Sequence, residues 1–216
     1  MKRPPMNTNL LRSITAILLG GMLAACGERA AAGESRGSSS SSTEFTVTEL
    51  ALTAAPGSGE PNLTVGPDGR AYLSWVEPAA DSAHALRFAV LEGDAWSAPR
   101  TIASGRDWFV NWADFPALAV LPGNRMAAHW LQRSGESKYA YDVRVAVSSD
   151  GGATWTPGAT PHTDGTQTEH GFVSMWPAGG DSVALVWLDG RKFKPSADEH
   201  AAGNEMTLRY TTVGPD

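Results

Sequence analysis

The chain has 216 residues, with 17 Lys and Arg against 23 Asp and Glu, and a single cysteine. A lone cysteine cannot close an internal disulfide, and a formal charge of −6 disfavours nucleic acid or an anionic lipid face as a partner. The five histidines, His84, His129, His162, His170 and His200, are scattered without metal-ligand spacing, so neither a metal nor another cofactor is expected.

The chain opens with Lys2, Arg3 and Arg12, an apolar run from Ile14 to Leu23, and then small residues, which is the pattern of an export signal. The run is about half of the ~20 residues that a membrane-spanning helix needs, so cleavage is expected rather than permanent insertion. Leu23-Ala24-Ala25-Cys26 follows directly and resembles the lipobox of bacterial lipoproteins. That resemblance implies a signal peptide over residues 1–25, lipidation at Cys26, and a membrane partner met through the lipid anchor at the bacterial cell envelope. Gly27 in place of Asp implies the outer membrane. Loss of residues 1–25 would leave 14 cations against 23 acids, a formal charge of −9. Residues 26–43, with Ala30-Ala31-Ala32 and the run Ser38 to Ser42, lack apolar periodicity and read as a tether with a reach of roughly 20–25 Å. Residues 44–216 are the expected folded part, long enough for one core. Phe45 to Leu52 alternates like a strand.

Three segments then align without a gap: Glu60 to Trp75, Phe115 to Trp130, and Phe172 to Trp187. Each holds an apolar strand marked by Leu63, Leu118 or Met175, a turn (Pro67-Asp68-Gly69-Arg70, Pro122-Gly123-Asn124-Arg125, Gly179-Gly180-Asp181-Ser182), and an alternating strand that ends on the tryptophan. A third β-like run follows each: Leu86 to Val90, Val143 to Val147, and Leu208 to Thr212. The first two continue to Trp96 and Trp155 and a fourth strand. Four antiparallel strands recurring at 55 and 57 residues predict an all-β partial propeller.

Ser148-Ser149-Asp150-Gly151-Gly152-Ala153-Thr154-Trp155 resembles the Asp-box, S-x-D-x-G-x-T-W, of sialidase (neuraminidase) propellers, the BNR-repeat family. Ser148, Asp150, Gly152, Thr154 and Trp155 carry the resemblance, and Glu92 to Trp96 is a degenerate second copy. It implies six blades in a complete ring, of which this chain holds about three, the third incomplete. The chain is therefore expected to be a truncated portion that is poorly soluble or self-associates. It also implies a glycan ligand and glycoside hydrolase chemistry, built from an arginine cluster, an Asp acid/base, and a Tyr nucleophile activated by Glu.

In a four-stranded blade the loops entering the innermost strand share one end with those joining the second and third strands. That end should collect Arg106, Asp107, Trp108, Trp112 and Asp114; Arg133, Glu136 and Lys138; Glu169 and His170; and Asp189, Arg191 and Lys192. Trp75, Trp130 and Trp187 recur in register and read as core. Trp108 and Trp112 are off-register beside acids, which suits either a sugar platform or a packed loop. Asp114 is the candidate acid/base, and Arg106 or Arg191 can join a carboxylate clamp. The Phe/Tyr-Arg-Ile-Pro sequence that carries the first sialidase arginine is absent. In that family the nucleophilic Tyr and two clamp arginines lie in later blades, so catalysis by this portion alone is not expected. A binding or scaffold propeller without chemistry is the alternative reading.

Overall fold

A computed structural model describes residues 45–193 and 205–214. The expected signal peptide, Cys26 and the tether lie outside these residues.

Among the described residues, alternating apolar side chains between tight turns give eleven short strands in three antiparallel sheets. The first sheet holds β1 (Gly59–Val65), β2 (Ala71–Pro78), β3 (His84–Glu92), the two-residue β4 (Ala95–Trp96) and β5 (Arg100–Gly105). The second holds β6 (Ala117–Leu121), β7 (Arg125–Arg133) and β8 (Tyr141–Ser148). The third holds β9 (His170–Gly179), β10 (Ser182–Asp189) and β11 (Thr207–Val213). The sequence repeat is a repeat of register: Leu63 pairs with Leu73, Leu118 with Ala128, and Met175 with Leu185. Gly123 and Asn124, both at positive φ (71° and 61°), close the β6–β7 turn.

The repeat includes an irregularity that the sequence does not announce. Pairing slips between Gly59 and Asn62 in β1, and again on β9 opposite the stretch Val186–Leu188 of β10. Glu60 and Phe172 occupy the same position of the repeat, and both take positive φ (50° and 52°). These are β-bulges, each inserting one residue near the entry to its sheet.

The sheets stand side by side, with β6 against β1 on one side and β9 on the other. One apolar cluster fills the space between the first two sheets, including Tyr72, Phe88, Leu118, Met126 and Trp130. A second lies between the second and third sheets, including Leu131, Tyr141, Val143, Leu185 and Trp187. Trp75, Trp130 and Trp187 are buried, as expected of core. The architecture is an all-β partial propeller.

The outer strands differ from expectation in one respect. The first sheet is completed by β5, whereas the fourth strand of the second sheet is reduced to Ala159, which exchanges two 2.8 Å backbone hydrogen bonds with Val145. Pro157 and Pro161 flank it, and without N–H groups they cannot extend the ladder. Among the described residues the third sheet has three strands. Phe45 to Leu52 forms no strand, and Phe45 and Val47 are exposed. Alternation alone does not hold a strand that has no neighbouring edge to pair with.

The Trp130 ring stacks on Trp108 with centroids 5.5 Å apart and lies against Gly158, so it ties the entry loop, the second sheet and its outer segment together. Trp130→Ala should lower the unfolding free energy by about 3–5 kcal/mol, read by urea denaturation. A loss under about 1 kcal/mol would show that this ring does not hold the sheets together.

Candidate functional site

The two ends of the second sheet are built differently. At one end the Ser148–Trp155 turn closes on itself. Ser148 Oγ donates to Asp150 Oδ1 (2.8 Å) and accepts the Gly152 N–H (2.9 Å), while Asp150 accepts the N–H and hydroxyl of Thr154 (2.9 and 2.6 Å). The Thr154 hydroxyl, then its N–H and Ser148, hold the Asp150 carboxyl down at about 2. Gly152, at φ +82°, lies where a Cβ would strike the Phe88 ring, and Trp155 meets Phe88 edge to face at 6.2 Å. Gly151 C=O accepts from Arg100 of the first sheet (2.8 Å). A hollow of about 220 Å³ at this end is lined mainly by apolar residues such as Leu121, Met126, Val147 and Val183. Its charged lining residues, Arg125 and Asp181, pair with each other across the second and third sheets. This end is a clasp between sheets.

Titratable side chains gather at the other end, roughly 24 Å along β8, where β8 and β9 begin and β10 ends. The first group is Asp114, Tyr141 and Glu169. The buried Tyr141 hydroxyl lies 2.9 Å from Glu169 Oε1 and 3.3 Å from Asp114 Oδ2. The bulge turns the backbone N–H groups of Phe172 and Val173 toward the Asp114 carboxylate. Gly171 makes room for it, since a Cβ there would collide with Asp114 Oδ2 and the Tyr141 ring. Burial raises the Asp114 pKa and Glu169 adds to the rise, while the two N–H groups and Tyr141 oppose it. Burial, reinforced by Glu169 and Asp114, pushes the Tyr141 phenol well above its usual range. A nucleophilic tyrosine needs the reverse shift, so Tyr141 is held protonated as a donor.

The second group lies on the other side of the Glu169-His170-Gly171 backbone. His170, fully buried, faces Asp189 across the β9–β10 ladder. Its Nδ1 is 3.1 and 3.2 Å from the carbonyls of Thr168 and Tyr141, and its Nε2 is 3.1 Å from Asp164 Oδ2. Both nitrogens meet acceptors, which only an imidazolium satisfies. Burial opposes that charge, but Asp142, Asp164 and Asp189 together raise the His170 pKa. His162 stacks on it, with centroids 4.0 Å apart and planes 13° from parallel. Burial and the His170 charge lower the His162 pKa. It is therefore the neutral partner, its Nδ1 2.8 Å from Asp164 Oδ1. Arg191 grips Asp189 through Nε and Nη2, each at 2.6 Å, and Trp187 Nε1 donates to the same carboxylate at 2.9 Å. Burial works against the Asp189 charge, yet these donors hold its pKa at about 2.

Asp142, His162 and His170 lie close enough to be considered as metal ligands, as do Asp164, His170 and Asp189. Two nearly parallel stacked rings cannot both direct in-plane lone pairs at one ion, and both nitrogens of His170 are engaged with acceptors. The arrangement suits an ion-pair network that fixes the entry to the third sheet.

Of the residues expected to line this end, Asp114 and Glu169 meet in the first group, and His170, Asp189 and Arg191 in the second. The three arginines do not converge. Arg106 pairs with Asp81 at the surface (3.0 Å), Arg133 lies over the Phe109 ring, and Arg191 is committed to Asp189. Asp107 contributes its carbonyl to the Arg133 N–H (2.7 Å). Trp108 is buried core, the packed-loop reading, whereas Trp112 is 85% exposed on the turn that ends at Asp114. His129 is a packed residue, its pKa lowered to about 4 by burial. The His162–His170 pair, Asp142, Asp164 and Tyr141 were not singled out from the sequence. Only the folding-back of residues 156–169 brings His162 beside His170.

Because the folded state favours protonated Asp114, the stability tied to that proton is complete below the ordinary aspartate pKa and is lost as pH rises through the raised value. Asp114→Asn keeps an acceptor for the two N–H groups and cannot ionise. It should raise the thermal midpoint at pH 7 relative to the parent chain and give no such gain at pH 3. A midpoint difference that is the same at both pH values would contradict a penalised carboxylate.

No protein-family model matches the chain, and no curated protein matches its sequence. Among solved structures it is similar to the GH93 alpha-L-arabinofuranosidase of Fusarium graminearum in complex with arabinobiose, at 13% identity and a TM-score of 0.50, over 73% of this chain and 46% of that one. It is also similar to the alpha-L-arabinanase of Penicillium chrysogenum complexed with arabinobiose, at 16% identity and a TM-score of 0.49, over 71% of this chain and 46% of that one. The chain thus spans less than half the length of these glycoside hydrolases, and at such identities the likeness concerns the fold alone.

Proposed function

We propose that the chain is the sugar-recognising portion of a glycan-directed, glycoside hydrolase-like propeller. The observation that carries this reading is the exposed Trp112 indole, on the turn that ends at the buried Asp114 carboxylate. Phe172, half exposed, adjoins the same carboxylate through its backbone N–H. Aromatic faces take the C–H surfaces of a sugar while acids take its hydroxyls. Binding is favoured over hydrolysis because the Tyr141 phenol fills the space between Asp114 and Glu169. A scissile glycosidic bond needs that space between its two carboxyl groups.

The finer, sialidase-like assignment is supported by the Ser148–Trp155 sequence. Recognition of a sialic carboxylate needs unpaired arginines, and Arg106, Arg133 and Arg191 are each engaged elsewhere. A neutral sugar fits the acidic rim better, which makes arabino-oligosaccharides, the ligands of the similar structures, the first to test alongside sialosides. In tryptophan-fluorescence titrations, Trp112→Ala should weaken binding of the preferred sugar about tenfold with an unchanged urea midpoint. If no sugar of either class binds the folded chain, the scaffold reading stands instead.

The Leu23-Ala24-Ala25-Cys26 sequence supports anchoring at the bacterial cell envelope, and Gly27 in place of Asp supports the outer membrane. Bacteria expressing the chain should incorporate labelled fatty acid into it and retain it with membranes. Cys26→Ala should abolish the label and move the protein to the soluble fraction; retained label would exclude Cys26 as the site.

A further inference from the structure

Residues 161–169 form a strap beside the entry to the third sheet, and the strap is lightly held. Each residue of 156–169 keeps some exposure, and the segment meets β8 through single-residue bridges at Ala159 and Glu169 in place of a ladder. Arg144 ties down the first part, donating to Thr160 Oγ1 (3.0 Å) and the Gly158 carbonyl. The part that carries Asp164 and Thr168 depends on the stacked histidines. A segment with few buried contacts opens at small cost, so one proton is enough to bias it.

The two rings make opposed demands. Two strap acceptors meet His170, the Thr168 carbonyl at Nδ1 and Asp164 Oδ2 at Nε2, each at 3.1 Å. A neutral His170 has one N–H and would face one of them with a lone pair, so closure needs a proton there. His162 needs the reverse. Its side chain is 4% exposed, and its Nδ1 lies 2.8 Å from Asp164 Oδ1, which places the one N–H of the neutral ring there. Its Nε2 is buried without a hydrogen-bond partner among the described residues, and so is Asp142 Oδ1, 3.8 Å away. That separation exceeds the roughly 2.7–3.2 Å of a hydrogen bond. A second proton would be a buried N–H with no acceptor, on a ring stacked 4.0 Å from an imidazolium. The charged groups around the pair are Asp142 on β8, Asp164 on the strap, and Asp189 and Arg191 at the end of β10, with Trp187 of β10 also facing His162.

We propose that the strap is a pH-gated closure held by one proton on the stacked pair, shut while His170 is charged and His162 neutral, and released when that proton is lost or a second is gained. Burial and the His170 charge lower the His162 pKa. Closure is therefore undiminished by His162 above the ordinary histidine value of about 6.5 and weakens as pH falls from there to the lowered value. Burial opposes the His170 charge, but Asp142, Asp164 and Asp189 raise its pKa. His170 therefore weakens closure only as pH rises from about 6.5 to the raised value. Release carries Glu169 away from the Tyr141 hydroxyl and takes the Thr168 carbonyl from the Tyr141 N–H (3.3 Å). That consequence for sugar recognition rests on the reading proposed above; the closure itself needs no sugar.

Amide hydrogen exchange of the full chain in detergent, followed by NMR without sugar, tests the closure. The Tyr141 and Gly190 N–H groups donate to the Thr168 and Glu169 carbonyls of the strap and report its closure; the Val145 N–H, which donates to Ala159, is the control. Protection of the two reporters should peak near pH ~6.5 and fall on both sides by at most about tenfold per pH unit, while Val145 stays level. His162→Asn keeps a donor for Asp164 and cannot take up a proton. It should remove the acid limb and leave the basic one. Ring-proton titrations of the parent chain give the midpoints of the pair without any variant, with His170 above about 6.5 and His162 below. Four outcomes would overturn the proposal: flat protection, an acid limb that persists in His162→Asn, a Val145 loss in step with the reporters, or rings that titrate together or in the opposite order.

Discussion

The structure depends on burial of sheet faces against one another. An antiparallel sheet of this sequence carries apolar side chains on both faces, so no sheet can satisfy itself; each becomes stable through its neighbour. The second sheet, covered on both sides, shows the full result. Its alternate residues Leu118 and Ala119, Val120 and Leu121, point to opposite clusters and are all buried. Trp130 extends this contact beyond the strands by stacking on Trp108 of the entry loop. The Ser148–Trp155 turn does the same at the other end, with Phe88 held between Gly152 and Trp155 and Arg100 over its far side at 4.4 Å.

That division leaves the chemistry at one end. Three carboxylates, Asp142, Asp164 and Asp189, meet one arginine and one imidazolium, so the network keeps a surplus negative charge beside Asp114 and Glu169. Each member is restrained by another: Arg191 by Asp189, Asp164 by His162 and His170, His170 by backbone carbonyls. Little of it is free to reorganise around a substrate, which suits rigid presentation of the rim more than proton traffic.

The strand pairs and core tryptophans were legible in the sequence because register is a local property: a two-residue alternation and a fixed tryptophan position survive in the chain itself. Trp108 was ambiguous because its partner, Trp130, is 22 residues away and only the loop path brings them together. The arginines misled for a related reason. A guanidinium takes whichever acid the fold brings near, and Asp81, Asp164 and Asp189 are supplied by separate loops and strand ends. Phe45 to Leu52 shows the opposite failure, a local pattern that lacks a long-range partner.

The bulge at Phe172 has a consequence for how changes in chain length would be read. With unbroken pairing from Ser174 opposite Val186, Asp189 would face Gly171; the inserted residue brings His170 there instead. The bulge acts as a phase shifter, leaving Met175 and Trp176 on their own sides of the sheet while choosing which residue meets the aspartate. Removing one residue at this point would straighten the strand and keep His170 opposite Asp189, whereas adding one while the bulge is kept would exchange the histidine for Gly171 at the centre of the charge network. The composition of that network is therefore set by a count of residues as much as by their kinds.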